Sequence, residues 1–337
     1  MKKIFLLFLS ASLLSSCSNE LDIAADYKET TIVYGLLSLA DSVQYVQVFK
    51  GYLDESASAL IFAQNPDSIF YDDSAEVKLE AGGQVYLLEK IDAAQIGLGR
   101  DDGIFVDSPN YVYRLPDALL QDRQYNLTFT NHRTGHIATA QTGIVKDFTI
   151  NRPSPLLPLN FATPSPNEVQ WRSAENGKIY QLVMRFFYEE WNITTPALID
   201  TLSIDWLIFN NLPSSSTAGN EPLSYQFDGT AFLSYLGSQL EVNNALKRRA
   251  LDEPLEFRFF VGAQDLYDYI RVNGAQTGIT SLQVKPEFTN VTNGLGIFSS
   301  RYNKTQAGID VTDRSLDSLS CGRFTRKLNF DNGLNCD

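Results

Sequence analysis

The sequence is short of histidine, of cysteine and of positive charge, and each shortage excludes something. Only His132 and His136 occur in 337 residues, so an imidazole metal centre would lack a third ligand. No H-E-x-x-H motif is present to organise them. Lys and Arg number 27 against 40 Asp and Glu, a net charge of −13. A chain this acidic repels nucleic acid and anionic lipid surfaces, and it lacks the basic clusters of a nucleic-acid binder. Its densest positive run, Lys247-Arg248-Arg249, reads as a solvated helix end. Long apolar runs are missing too: beyond residue 16 none reaches membrane-spanning length.

Catalytic patterns are equally scarce. There is no G-x-S-x-G elbow for a serine nucleophile. Glu189 and Glu190 are adjacent in an expected strand, so they face opposite ways and cannot act as a carboxylate pair. The acidic loops Asp101–Asp107 and Asp310–Asp317 depart from calcium-loop spacing and read as solvated turns. Gly294-Leu295-Gly296 lacks the third glycine and the Lys-Ser/Thr pair of a phosphate loop. The expectation is a protein that is not an enzyme and carries no cofactor.

What is present begins at the N-terminus. Lys2 and Lys3 precede an apolar run from Ile4 to Leu14, followed by Leu14-Ser15-Ser16-Cys17. The run is too short for an anchor helix and has the layout of an export leader. Leucine at −3, small residues at −2 and −1 and cysteine at +1 make a lipobox, so residues 1–16 are expected to be removed and Cys17 to carry lipid. Cys321 and Cys336 then remain as an even pair in an oxidising compartment and are expected to form a disulfide. Such a bridge would remove roughly 3 kcal/mol of chain entropy from the unfolded state and pin a polar C-terminal tail.

Residues 17–30 read as an acidic tether. From 31 to 150 the pattern is apolar alternation broken by turns, which predicts strands at Ile32–Leu36, Val43–Phe49, Ala75–Leu79, Gln84–Leu88, Tyr125–Thr130 and His136–Ala140. Gly82-Gly83 marks one hairpin and Asn131–Gly135 another. Leu120, five residues before Tyr125, with Leu127 and Phe129 alternating after it, resembles a tyrosine corner, whose hydroxyl bonds backbone. This predicts an immunoglobulin-like β-sandwich. Five prolines between Asn151 and Asn167 mark residues 151–167 as a semi-rigid linker. Residues 168–337 read as a second β-rich domain, with strands at Glu168–Trp171, Ile179–Trp191, Thr201–Phe209 and Leu255–Val261 and a loop at Leu212–Glu221. Short helices are expected around Phe232–Leu240 and Leu266–Ile270. Most of the 21 Phe and 16 Tyr must fill cores.

Asp265-Leu266-Tyr267-Asp268-Tyr269 and Pro286–Phe298, with its Asn290-Val291-Thr292-Asn293-Gly294-Leu295-Gly296-Ile297-Phe298 bend, resemble the C-terminal signature of a Bacteroidota family of outer-membrane lipoproteins of unknown function. The resemblance covers nearly all of the chain after Cys17, and its motifs are structural rather than catalytic. It implies a lipid-anchored outer-membrane protein of a kind often encoded beside TonB-dependent transporters, and it carries over no catalytic residues. Leu21 interrupts the acidic tract that usually follows the lipidated cysteine in surface-exported members. That leaves orientation open between the cell surface, which is favoured, and the periplasm. The same phylum glycosylates Asp-(Ser/Thr)-apolar triplets, and five occur here, at Ser42, Ser68, Ser74, Thr201 and Ser318; ordinary turn chemistry also accounts for them.

The expected function is binding: an accessory subunit of a TonB-dependent transporter or other envelope complex, with no nucleic-acid partner. The alternative is a surface glycan- or nutrient-binding lipoprotein using Trp171, Trp191 or Trp206 as a stacking platform.

Overall fold

A computed structural model of the chain describes residues 29–51, 59–99, 103–164, 166–197, 199–274, 288–331, 333 and 336. The leader, Cys17 and most of the tether lie outside them, as do Asp101, Asp102, Pro286 and Glu287. The chain is mainly β. In order, its elements are β1 (Thr30–Ser38), β2 (Gln44–Gly51), α1 (Ala59–Ala63), α2 (Pro66–Ile69), β3 (Ala75–Ala81), β4 (Gln84–Leu87), β5 (Glu89–Asp92), β6 (Tyr111–Leu115), β7 (Gln124–Asn131) and β8 (His136–Gly143). They continue with β9 (Ile150–Arg152), β10 (Pro166–Arg172), β11 (Ile179–Asn192), β12 (Ile199–Pro213), β13 (Pro222–Asp228), α3 (Gly229–Gln239), β14 (Leu246–Gly262), α4 (Gln264–Gly274), β15 (Gly294–Ile309) and α5 (Asp313–Cys321). No helix among the described residues is long and apolar enough to cross a membrane.

Local chemistry explains the turns. β3 and β4 are joined by Gly82 and Gly83, both at positive φ, as a two-residue hairpin requires. The Tyr125 hydroxyl accepts from the Leu120 backbone N–H at 2.7 Å, the bond of a tyrosine corner. β11 alternates cleanly: Tyr180, Leu182, Met184, Phe186 and Tyr188 are buried, while Gln181, Val183, Arg185 and Phe187 take the other face.

Three sheets result. The largest has the order β12-β11-β14-β15-β1-β2-β6-β5; the others are β4-β3-β7-β8 and β13-β10-β9. Two cores lie on one side of the large sheet. In one, Val33, Leu37, Val46 and Val48 meet Val77, Leu79, Leu127 and Phe129 of the four-stranded sheet. In the other, Leu182, Met184, Phe257 and Phe259 meet Val169, Trp171 and Phe227 of the three-stranded sheet and Phe232 and Leu236 of α3. Along β15 the same residue parity serves both, Phe298 facing the first core and Tyr302 the second.

The expected boundary at 151–167 therefore falls between two cores but not between two sheets. β15 pairs in parallel with β1, Thr31 opposite Gly294 through Ser38 opposite Arg301. Val291 and Phe298, from the far half, fill the first core. Nor does the proline-rich segment hang free as a linker. Leu159 N–H donates to the Asp310 carbonyl at 2.9 Å, Phe161 N–H donates to Ser315 Oγ at 2.8 Å, and the Phe161 ring is buried against Phe227 and Phe232. Burial of that ring between prolines draws the segment onto the body.

The glycines of Gly294-Leu295-Gly296 let β15 approach β1. A Cβ on Gly294 would stand 2.6 Å from the Thr31 carbonyl oxygen, and one on Gly296 would press into that of Val33. Asn290 completes the bend: its Nδ2 donates to the Phe298 carbonyl at 2.7 Å and its Oδ1 accepts from Phe298 N–H at 2.9 Å.

Cys321, at the end of α5, is joined to Cys336 with Cα atoms 5.2 Å apart. Replacing both by serine is expected to cost about 3 kcal/mol, read as a lower urea midpoint, with m rising if anything because the unfolded chain loses its crosslink. An unchanged midpoint would mean that the tail is held without the bridge.

Candidate binding face

The residues singled out from the sequence are scattered. Cys17 is outside the described residues. Trp171, on β10, is 1% exposed and stacked on Phe209, with Tyr180 and Phe259 tilted around it, so no ring face is left for a ligand. Trp206 turns into the same core against Phe227 and Phe232. Trp191 sits at the end of β11 beneath the Arg249 guanidinium, 5.9 Å from it. Trp206 pairs with Met184 and Trp191 with Ile199, which separates them by roughly 20 Å along the ribbon. The three tryptophans therefore form no shared platform: Trp171 and Trp206 have core-facing parity, and Trp191 lies far along the ribbon.

Glu189 and Glu190 do face opposite ways, each with its own cation: Arg249 at 2.5 Å and Arg248 at 2.7 Å. This corrects the reading of Lys247-Arg248-Arg249 as a solvated helix end. The run lies in β14, where cross-strand pairing with β11 turns Arg248 inward, 2% exposed. His132 stands 3.7 Å from Glu76, and His136 packs on Phe129. No group of three or more His, Cys, Asp or Glu among the described residues could hold a metal ion. Of the five triplets, Ser42 and Thr201 are exposed, whereas Ser74 Oγ is engaged with Asp72 and Asn131.

The side of the large sheet away from the two cores carries a feature the sequence reading missed. β1 and β2 are apolar on both parities: Val33 and Val48 face the core, while Ile32, Tyr34 and Phe49 face outward. That departure from simple alternation is the available signal, since strands covered on both faces read as continuous apolar runs. α2 lies beside them. Asn65 caps it by accepting from Asp67 N–H at 3.0 Å, Pro66 starts it, and Phe70 leaves it in extended conformation.

Between these elements runs a groove in two parts. An apolar cavity of about 430 Å³ is lined by Ile32, Tyr34, Phe49, Ile69 and Phe105, with Lys50 at its edge. Tyr34 is 39% and Phe105 43% exposed. Lys50 also borders a second cavity of about 510 Å³, where Lys90 and Arg133 face Asp67, Asp72 and Asp73. An aromatic row joins the two: Tyr34 to Phe49 at 6.4 Å, Phe49 to Phe70 at 5.7 Å and Phe70 to Tyr111 at 5.3 Å. Lys90 Nζ stands 4.5 Å above Tyr111.

The charges are held in place. Lys50 Nζ donates to the Asp67 carbonyl at 2.8 Å and Lys90 Nζ to that of Tyr71 at 2.7 Å. Arg133 pairs with Asp72. Hydrogen bonds from Ser74 hold the Asp72 carboxyl below its usual range, with Arg133 and Lys50 adding to the effect. Beneath, burial pushes the Tyr113 phenol up to about 12, with Asp73 and Asp72 contributing. It stays a neutral phenol throughout the physiological range. Fixed charges beside an apolar pocket are suited to orienting a bound chain.

No protein-family model matches this chain, and no curated protein matches it.

Proposed function

We propose that this chain is a lipid-tethered protein of the outer membrane that works by binding. It serves as an accessory subunit of a TonB-dependent transporter or another envelope complex. The groove beside β1, β2 and α2 receives an extended segment of the partner. The observation that carries this reading is the continuity of the groove, whose aromatic row runs from an apolar cavity into one lined by three cations and three carboxylates. An apolar side chain of the partner would fill the first part as an anchor, and polar groups beside it would be set in register by Lys50, Lys90 and Arg133. Lipid on Cys17 would hold the two proteins in one membrane, raising the effective concentration so that a modest contact suffices.

The test is co-purification of the tagged lipoprotein from solubilised outer membranes. Tyr34→Asp places a charge in the apolar cavity and is expected to reduce recovery of the partner at least tenfold, a loss of about 1.4 kcal/mol or more. Val85→Asp, on the exposed side of β4, should leave recovery unchanged. Equal recovery from the Tyr34 variant, or no co-purifying membrane protein at all, would defeat the proposal.

A further inference from the structure

The same side of the large sheet carries a second, smaller depression. The register of β11, β14 and β15 sets Gln181 opposite Phe260 and Phe260 opposite Asn303. A bulge between β11 and β12 places Asn210 and Asn211 against the single Gln181, the kind of irregularity that re-aims side chains. Their neighbours Tyr180, Phe259 and Val261 point into the core, so Gln181, Phe260 and Asn303 project the other way. A transverse row of amide, amide, aromatic and amide thus crosses four strands. Leu266 and Ile270 of α4, together with Arg301, complete the lining of a cavity of about 240 Å³.

The chemistry of this cavity is neutral and two-sided. None of the side-chain amides of Gln181, Asn210 and Asn303 is hydrogen-bonded to another described residue. Each offers both donors and an acceptor. Arg301 gives its Nη2 to Asp41 at 3.0 Å, which balances its charge, while its Nε is buried with no hydrogen-bond partner among the described residues. Phe260, steadied by the Arg258 guanidinium 5.5 Å from its ring, and Leu266 and Ile270 supply apolar faces. Neighbouring ring hydroxyls, each a donor and an acceptor, match a line of amides, and the C–H face of such a ring matches the phenyl and aliphatic walls. The volume lies below the roughly 300–1,000 Å³ of sites for drug-sized ligands, which suits one ring.

We infer that this cavity binds a single ring of a neutral, polyhydroxylated ligand, a saccharide, through Gln181, Asn210, Asn303 and Phe260. The site is separate from the groove and does not depend on the partner-binding reading.

The probe is a panel of methyl glycosides of glucose, galactose, mannose and N-acetylglucosamine, presented to the full chain at millimolar concentration. Binding is read by saturation-transfer NMR and titration with no partner protein present, so its failure is distinct from failure of partner capture. At least one glycoside is expected to bind. Gln181→Leu and Asn303→Leu should each weaken it about tenfold, the loss of one to two hydrogen bonds. Ile270→Trp, which fills the cavity from the helix side and leaves the sheet untouched, should abolish the signal. No saturation transfer from any glycoside would overturn the proposal, as would a signal unchanged in all three folded variants.

Discussion

Gly296→Ala is expected to destabilise the protein by about 4 kcal/mol, a large share of the 5–15 kcal/mol that holds a typical domain folded. Two costs combine. Gly296 has φ +103°, a conformation that costs an L-residue of order 1–3 kcal/mol. Its added Cβ would also press into the Val33 carbonyl oxygen, part of β1's backbone rather than a flexible side-chain end. Overpacking of this kind costs a further 1–3 kcal/mol or so. Gly83→Ala separates the two contributions. It shares the positive φ, at +82°, but has nothing within 4 Å of the added Cβ, so only backbone strain of about 1 kcal/mol is expected. Urea unfolding of both variants checks the difference. If Gly296→Ala were no worse than Gly83→Ala, close approach of β15 to β1 would not be what this glycine serves. Because that pair joins the two halves of the large sheet, weakening it should also reduce the cooperativity of unfolding.

That pairing marks the limit of what the sequence discloses. Alternation in β11, the glycine pair of the β3–β4 hairpin, the Leu120–Tyr125 bond and the cysteine pair are local signals, and the structure reproduces each of them. The partner of β1 is not local. It is the last strand of the described chain, and nothing within the span Thr30–Ser38 specifies which distant strand will lie beside it. A proline-rich stretch therefore looks like a linker although it sits under one continuous sheet. The binding face shows the same division. Trp171 shares strand parity with Val169, so its burial was readable from spacing alone. The groove, by contrast, needs β1, β2, α2 and Phe105 to meet. The amide row needs the register of four strands.

Arg248→Ala is expected to cost about 3–5 kcal/mol, the loss that follows when one partner of a buried ion pair is removed. The arginine stands on the core-facing parity of β14, directly opposite Glu190 on β11, where binary patterning calls for an apolar residue. Its Nε donates to Glu190 at 2.7 Å and its Nη1 to the Leu328 carbonyl at 2.8 Å. Its backbone N–H donates to Asn329 and its carbonyl accepts from Asp331, so this one residue ties the ribbon to the chain's final segment. Phe330 is thereby laid over Phe186 and Tyr188. Removing the guanidinium leaves the partly buried Glu190 carboxylate and the Leu328 carbonyl without their donor, and it opens a cavity the length of the side chain. Arg248→Met keeps most of the volume but still isolates Glu190, so it should lose somewhat less. Arg248→Met combined with Glu190→Leu removes both charges and should recover much of the stability, because a buried pair roughly balances its own desolvation. The double-mutant cycle, read by urea unfolding, then returns a coupling of about 2 kcal/mol or more. Additive losses across that cycle would show that Arg248 works through packing and backbone pairing instead. In that case the tail should stay docked in Arg248→Met, and the Cys321–Cys336 bridge would become its main restraint.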